Sequence, residues 1–171
     1  MTIQLELKSE SGLPDLQSLL TNESKDRYQL LLDTTPAYKH CYFPGGTIAF
    51  SLFKASRYCY VNGYFLATVV LGLAYIEKTF YGMFVDIGCE ELPDKVFDTL
   101  NKKSLDAGII NHETYDIINR TQQSRNKYPP FSTNKARPVN RKLYPHDGFE
   151  IHEVDARDLL GIMTKLLNEK H

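Results

Sequence analysis

Residues 63–85 read GYFLATVVLGLAYIEKTFYGMFV, and this stretch decides the fold that the sequence predicts. Apolar residues recur in it at helical spacing and form one stripe: Phe65, Val69, Leu73, Ile76, Phe80 and Phe84. A second apolar stripe lies beside the first: Leu66, Val70, Ala74, Tyr81 and Val85. A helix with so wide an apolar face is typical of the centre of a bundle, where neighbouring helices surround it.

The same region contains the longest uncharged run of the chain, between Arg57 and Glu77. A membrane-spanning helix needs about 20 successive apolar residues, so the run has to be considered as one. Asn62-Gly63 and several tyrosines interrupt it, which argues against a spanning helix. The run is better explained by a buried helical hairpin, and we expect no membrane partner.

Shorter helices are predicted on both sides of this stretch. Before it, a helical pattern starts at Thr47, with Ile48, Leu52 and Ala55 at helical spacing, and Asn62-Gly63 ends it. After it, a helix is expected to start near Leu92 and to end at Gly108 in a left-handed cap.

Two more helices are predicted in the second half of the chain. Asn111 is a suitable N-cap for a helix that runs to about Asn126. Residues 127–153 contain several prolines and are expected to form a long connection. The buried side of the last helix is then predicted to consist of Leu159, Leu160, Ile162, Met163, Leu166 and Leu167.

Together these patterns predict an all-α fold in a single domain, since 171 residues fit one domain with its own core. Residues 47–171 are expected to form a four- to five-helix up-and-down bundle. Residues 1–46 are expected to be an N-terminal extension packed on it. Whether the Leu30–Leu32 run of the extension forms a strand or helical turns is left open by the sequence.

Composition and charge set few limits on function. The formal net charge is −1, so the chain as a whole gives no electrostatic reason to bind nucleic acid or a membrane. Glu90-Glu91 has no histidine at helical spacing, so we expect neither a metal nor a cofactor. A reducing cytoplasm is predicted, because no signal peptide is recognisable and no disulfide pattern is formed by the three cysteines: Cys41, Cys59 and Cys89.

Charge is unevenly distributed along the chain. From Ile117 to His146 there is no Asp or Glu, whereas the basic residues there are Arg120, Arg125, Lys127, Lys135, Arg137, Arg141 and Lys142. Aromatic residues lie among them: Tyr128, Phe131 and Tyr144. Such a mixture fits a phosphate backbone with unpaired bases. The alternative is a solvated loop whose charges pair with acidic residues elsewhere, such as Asp147, Glu150 and Glu153.

Three stretches carry a family resemblance: residues 63–85 quoted above, INRTQQSRNKYPPF at 118–131, and EVDARDLLGIMTKLL at 153–167. In order and spacing they resemble the HEPN superfamily over about residues 47–168. The resemblance is to its small bacterial members, in which a helix ends in Arg-Asn-x-Tyr-x-His. It implies a compact helical bundle that dimerises. For active members it implies metal-independent RNA cleavage by the arginine and the histidine.

Arg125, Asn126 and Tyr128 match the arginine, its polar neighbour and the aromatic residue of that motif. The histidine is not matched, because Pro130 stands at its position. Cleavage requires a group that helps to remove a proton from the attacking 2′-hydroxyl while the arginine stabilises the charge on the phosphate. Proline has no proton to exchange, so the resemblance predicts a catalytically degenerate protein. His146 and His152, farther along in the long connection, are the candidates for a remote replacement.

Three interpretations follow. The first is a cytoplasmic, HEPN-like homodimer that binds RNA or a protein partner without cutting RNA, in a toxin–antitoxin, phage-defence or counter-defence setting. Its binding residues would be Arg120, Lys127, Phe131, Lys135, Arg137, Arg141, Lys142 and Tyr144. The second is an active metal-independent ribonuclease in which Arg125, Asn126 and Tyr128 act with His146. The third is a protein-interaction module whose basic loop docks on an acidic protein surface, with no role in nucleic-acid binding.

Overall fold

A computed structural model describes residues 21–34, 42–89, 97–126 and 148–168. Within these ranges the chain forms six α-helices and no strand, which confirms the all-α class and the helical bundle. Five of the helices lie in the region predicted to form the bundle, and the first lies in the N-terminal extension. The helices are α1 (Asn22–Thr34), α2 (Gly46–Val61), α3 (Phe65–Asp86), α4 (Phe97–Asp106), α5 (His112–Asn126) and α6 (Gly148–Asn168).

The centre of the bundle is α3, which packs against α2, α4, α5 and α6. Its predicted stripe is buried from Val69 to Phe84, and Phe65 is half-buried at its start. Among the described helices, α3 is the one that is long and apolar enough to cross a membrane. Because most of its apolar surface faces the other helices, it is a core helix, as the sequence predicted.

The turn between α2 and α3 is built on Gly63, which has a positive φ of 76°. The N–H of Tyr64 donates to the Cys59 carbonyl at 2.8 Å, and the N–H of Gly63 donates to the Tyr60 carbonyl at 3.0 Å. These two bonds form a Schellman motif, which ends a helix and satisfies its last carbonyls. The chain then reverses, and the rings of Tyr60 and Phe65 lie 5.9 Å apart across the turn.

Two glycines allow neighbouring segments to approach α3 closely. Gly82 lies against the backbone of Pro44 and Gly45, so that a Cβ at position 82 would collide with the Pro44 carbonyl. Gly72 lies against the side chain of Leu159 in α6 in the same way. The absence of side chains at these positions therefore sets how closely the pre-α2 loop and α6 pack on the central helix.

The last helix begins earlier than predicted. Residues 148–153 were predicted to lie in the connection but belong to α6, so His152 lies in a helix and not in a loop. The reason is that the buried side chains described before Leu159, Asp155 and Ala156, are polar or small, so the apolar pattern begins later than the helix itself. The predicted buried side is confirmed for Leu159, Leu160, Ile162, Met163, Leu166 and Leu167.

The Leu30–Leu32 run lies in α1, which packs on α2. Thr21 caps this helix, because its Oγ1 accepts a hydrogen bond from the N–H of Ser24 at 3.1 Å. Arg27 ties α1 to the end of α2, since its Nε donates to the carbonyl of Val61 at 3.2 Å. Part of the predicted N-terminal extension therefore forms a helix that belongs to the packed body.

The predicted cap residues around α4 and α5 are confirmed. Gly108 has a positive φ of 72°, and Asn111 Oδ1 accepts the N–H of Thr114 at 2.9 Å. The predicted start of the preceding helix near Leu92 lies outside the described residues.

Replacing Gly82 with alanine should destabilise the fold by about 1–3 kcal/mol, because backbone atoms of Pro44 and Gly45 occupy the position of the new methyl group. The matched control is Gly161→Ala, a helical glycine with nothing within 4 Å of an added Cβ. This control should stabilise the protein by up to about 1 kcal/mol, since alanine favours helix. Urea unfolding measures both, and equal effects of the two substitutions would contradict the packing described above.

Candidate functional site

Arg125 and Asn126 form the last turn of α5, as predicted. The buried side of this helix is formed by Thr114, Ile118 and Thr121. Arg125 follows Thr121 by one helical turn and lies on the same side. Its side chain is half-buried, so the end of α5 places a guanidinium at the edge of the core.

The Arg125 guanidinium contacts the side chain next to it. Its Nε and Nη2 both donate to Asn126 Oδ1, at 3.2 and 2.9 Å. A two-point contact of this kind fixes the plane of the guanidinium, whose donors form a rigid fork. Two of the three residues that match the motif of the resemblance therefore form one hydrogen-bonded unit, which we call the Arg125–Asn126 unit.

Arg120, which was expected to bind RNA or a partner, connects α5 to α6. Its Nη2 donates to Asp158 Oδ2 at 2.6 Å, and its Nε lies 3.8 Å from Asp155 Oδ1. Asp155 is buried and Asp158 is half-buried. Two carboxylates beside Arg120 offset its charge, so it adds little to the attraction of a phosphate. Arg120 is therefore paired with acidic residues, as in the alternative interpretation of the basic stretch. Its partners are Asp155 and Asp158 and not Asp147, Glu150 or Glu153.

Sequence reasoning missed Asp155 and Asp158 as partners of Arg120. The signal that could have found them is a pair of carboxylates almost one turn apart on α6, immediately before its apolar stripe. It also missed Asn101, a fully buried residue of α4 whose Nδ2 donates to Asn119 Oδ1 at 2.9 Å. Asn119 and Arg120 are neighbours in α5, so polar contacts on two sides hold this part of the helix.

The remaining predicted site residues lie outside the described residues: Lys127, Tyr128, Phe131, Lys135, Arg137, Arg141, Lys142, Tyr144 and His146. The one histidine whose side chain is described is His112, at the start of α5. It lies about 20 Å from Arg125 along the helix axis, at about 1.5 Å per residue. His112 therefore cannot act on a phosphate held by Arg125.

Within the described part of the chain there is no group of three or more His, Cys, Asp and Glu that could hold a metal ion. Cys59 and Cys89 are free thiols, and burial raises the pKa of the Cys59 thiol.

Comparison with known proteins adds no assignment: no family model, curated protein or solved structure matches the chain.

Replacing Asp158 and replacing Arg120 should destabilise the protein by different amounts. Asp158→Asn should cost less than about 1 kcal/mol, since this pair is largely solvated. Arg120→Gln should cost about 2 kcal/mol or more, because it removes a cation from beside the buried Asp155 carboxylate. Chemical denaturation of both variants gives the comparison. A larger loss for Asp158→Asn would show that the solvated contact and not the buried carboxylate dominates.

Proposed function

We propose that the protein is an HEPN-like RNA-binding protein with a degenerate ribonuclease motif, and that the end of α5 forms part of its RNA contact. The observation that carries this proposal is the Arg125–Asn126 unit. A half-buried guanidinium, oriented by its neighbour, stands at the helix end where the family motif has its arginine and polar partner. A guanidinium has five N–H donors, of which Nε and Nη2 contribute to the Asn126 contact, and such a group suits a phosphate.

The attraction for RNA has to come from side chains at this position. The C-terminal end of a helix carries a partial negative charge, which by itself disfavours a phosphate. Arg125 offsets this charge, and every formally charged residue that follows it up to His146 in the sequence is basic. Arg120 contributes little, because Asp155 and Asp158 already neutralise it. The proposed contact therefore centres on Arg125 and on the basic stretch that follows it.

Binding without cleavage is the form of the function that these residues favour. Pro130 replaces the histidine of the motif, and His112 is too far away to assist proton transfer. An arginine can still hold a phosphate when no group is present to activate the 2′-hydroxyl. We further propose that the protein acts in the cytoplasm as a homodimer, in which two copies of the Arg125–Asn126 unit would bind one RNA.

We expect the full-length protein to bind a single-stranded RNA at low salt in EDTA and to leave it intact. Arg125→Ala should weaken the binding about tenfold, because a charge-assisted contact to phosphate is lost. It should also reduce the slope of log affinity against log salt concentration by about 0.7. Fluorescence anisotropy of a labelled RNA measures binding, and denaturing electrophoresis of the same samples measures cleavage.

The matched control is Lys102→Ala, which removes an exposed cation that pairs with Asp106 at 3.1 Å in α4. This variant should bind RNA as the wild type does. Cleavage in EDTA that disappears in Arg125→Ala would instead establish an active ribonuclease with a remote histidine. Binding that is independent of salt, or equal in both variants, would argue against the RNA contact at α5.

A further inference from the structure

A second surface with features suited to RNA lies on α2, away from its contact with α3. Phe50 and Tyr58 are 38% and 68% exposed, although both are large aromatic side chains. Lys54 lies between them on the same side of the helix, and Arg57 lies half-buried next to Tyr58. We call Phe50, Lys54, Arg57 and Tyr58 the α2 face. Tyr28 of α1, which is 50% exposed, borders it.

Cations and aromatic rings are interleaved on this surface. The Lys54 ammonium lies 5.1 Å from the centroid of the Phe50 ring, and the Arg57 guanidinium lies 5.4 Å from that of Phe53. Burial lowers the pKa of Arg57 and the Tyr28 hydroxyl raises it, which places α1 beside this arginine. Arginine remains charged in proteins, so the α2 face carries two positive charges.

The surroundings of the α2 face in the sequence contain no acidic residue. Between Asp33 and Glu77 there is no Asp or Glu, and this range includes all of α2, the turn after it and the first half of α3. The acids of α1 are Glu23, Asp26 and Asp33, of which Glu23 pairs with Arg27 at 3.6 Å and Asp33 accepts a hydrogen bond from Gln29 at 2.8 Å. Along the chain, therefore, Lys54 and Arg57 have no acidic neighbour, although the net charge of the chain is −1.

We propose that the α2 face is a second RNA contact, which stacks unpaired bases on Phe50 and Tyr58 while Lys54 and Arg57 meet the phosphates. This inference rests on the proposed RNA binding and adds a second surface that would contact the same RNA. Exposed rings beside cations are the arrangement that binds single strands, because every base offers a face for stacking. A duplex keeps its bases stacked on each other, so it cannot use these rings.

The dimensions of the α2 face agree with a short single strand. Phe50 and Tyr58 are separated by about 12 Å along the helix, at about 1.5 Å per residue. A short single strand therefore could reach both rings and place phosphates between them, near Lys54 and Arg57. An acidic protein surface would satisfy Lys54 and Arg57 by charge, whereas each nucleotide of a single strand offers both a phosphate and a base face for stacking. RNA accounts for both features.

The test uses the full chain and a fluorescein-labelled oligouridylate of about ten nucleotides, in EDTA at low salt. Tyr58→Ala should weaken binding about tenfold, because one stacking platform is lost. Tyr58→Phe keeps the ring and should bind as the wild type does. The matched control is Tyr81→Ala, which removes a tyrosine that is 49% exposed on α3, one turn after Glu77. It should leave the affinity unchanged.

The charge of the α2 face has its own test in the same assay. Lys54→Gln should reduce the slope of log affinity against log salt by about 0.7, as expected when one phosphate contact to a single strand is lost. Lys102→Gln, whose lysine pairs with Asp106, should keep the wild-type slope. With a duplex of the same length as the probe, Tyr58→Ala should change the affinity by less than a factor of two.

Each outcome decides the proposal. Wild-type affinity in Tyr58→Ala and Lys54→Gln, together with loss of binding in Arg125→Ala, would overturn the α2 face and leave the proposed function standing. Absence of oligouridylate binding by the wild type would overturn both. A dimer that dissociates in Tyr58→Ala during sedimentation would show that a second copy of the chain covers this face, which also overturns the proposal. Thermal melts followed by circular dichroism confirm that the compared variants are folded.

Discussion

The antiparallel pairing of α2 with α3 is the constraint on which the rest of the molecule depends. The rings of Phe53 and Tyr75 lie 5.4 Å apart in this contact, and both side chains are almost fully buried. Burying a large apolar side chain contributes about 1.5–3 kcal/mol, so a few such rings outweigh most single polar contacts of the surface. Because α4, α5 and α6 all pack on α3, the position of each candidate side chain is set relative to this helix.

The end of α5 is positioned by polar contacts on two sides. Asn101 of α4 donates a hydrogen bond to Asn119 of α5. On the other side, Asp155 and Asp158 of α6 form ion pairs with Arg120 of α5. Contacts of this kind add less stability than apolar packing, because their groups lose hydration on burial. They do restrict how α5 can rotate or slide, since a displaced helix would leave buried polar groups without partners. Arg125 follows directly after this restrained segment, so its guanidinium occupies a defined place.

The sequence predicted what depends on local periodicity and backbone chemistry. The stripe of α3, the cap at Asn111 and the left-handed Gly108 are of this kind, because each needs only neighbouring residues. Two features could not be predicted in the same way. The partners of Arg120 lie more than thirty residues away, so they depend on how α6 packs. Phe50 and Phe53 look alike in the sequence, yet one is exposed and the other buried, since only the packing of α2 distinguishes their sides.

A protein with a net charge of −1 can attract RNA only through short-range fields. At physiological ionic strength the screening length is about 8 Å, so cations farther than this from a phosphate contribute little. The chain has two acid-free ranges: the one between Asp33 and Glu77 contains three Lys and Arg, and the one between Asp116 and Asp147 contains seven. Only a few basic side chains of each range could therefore lie within contact distance of one phosphate. Aromatic stacking does not depend on salt in this way, so in the proposed RNA contact the exposed rings of α2 would complement its cations.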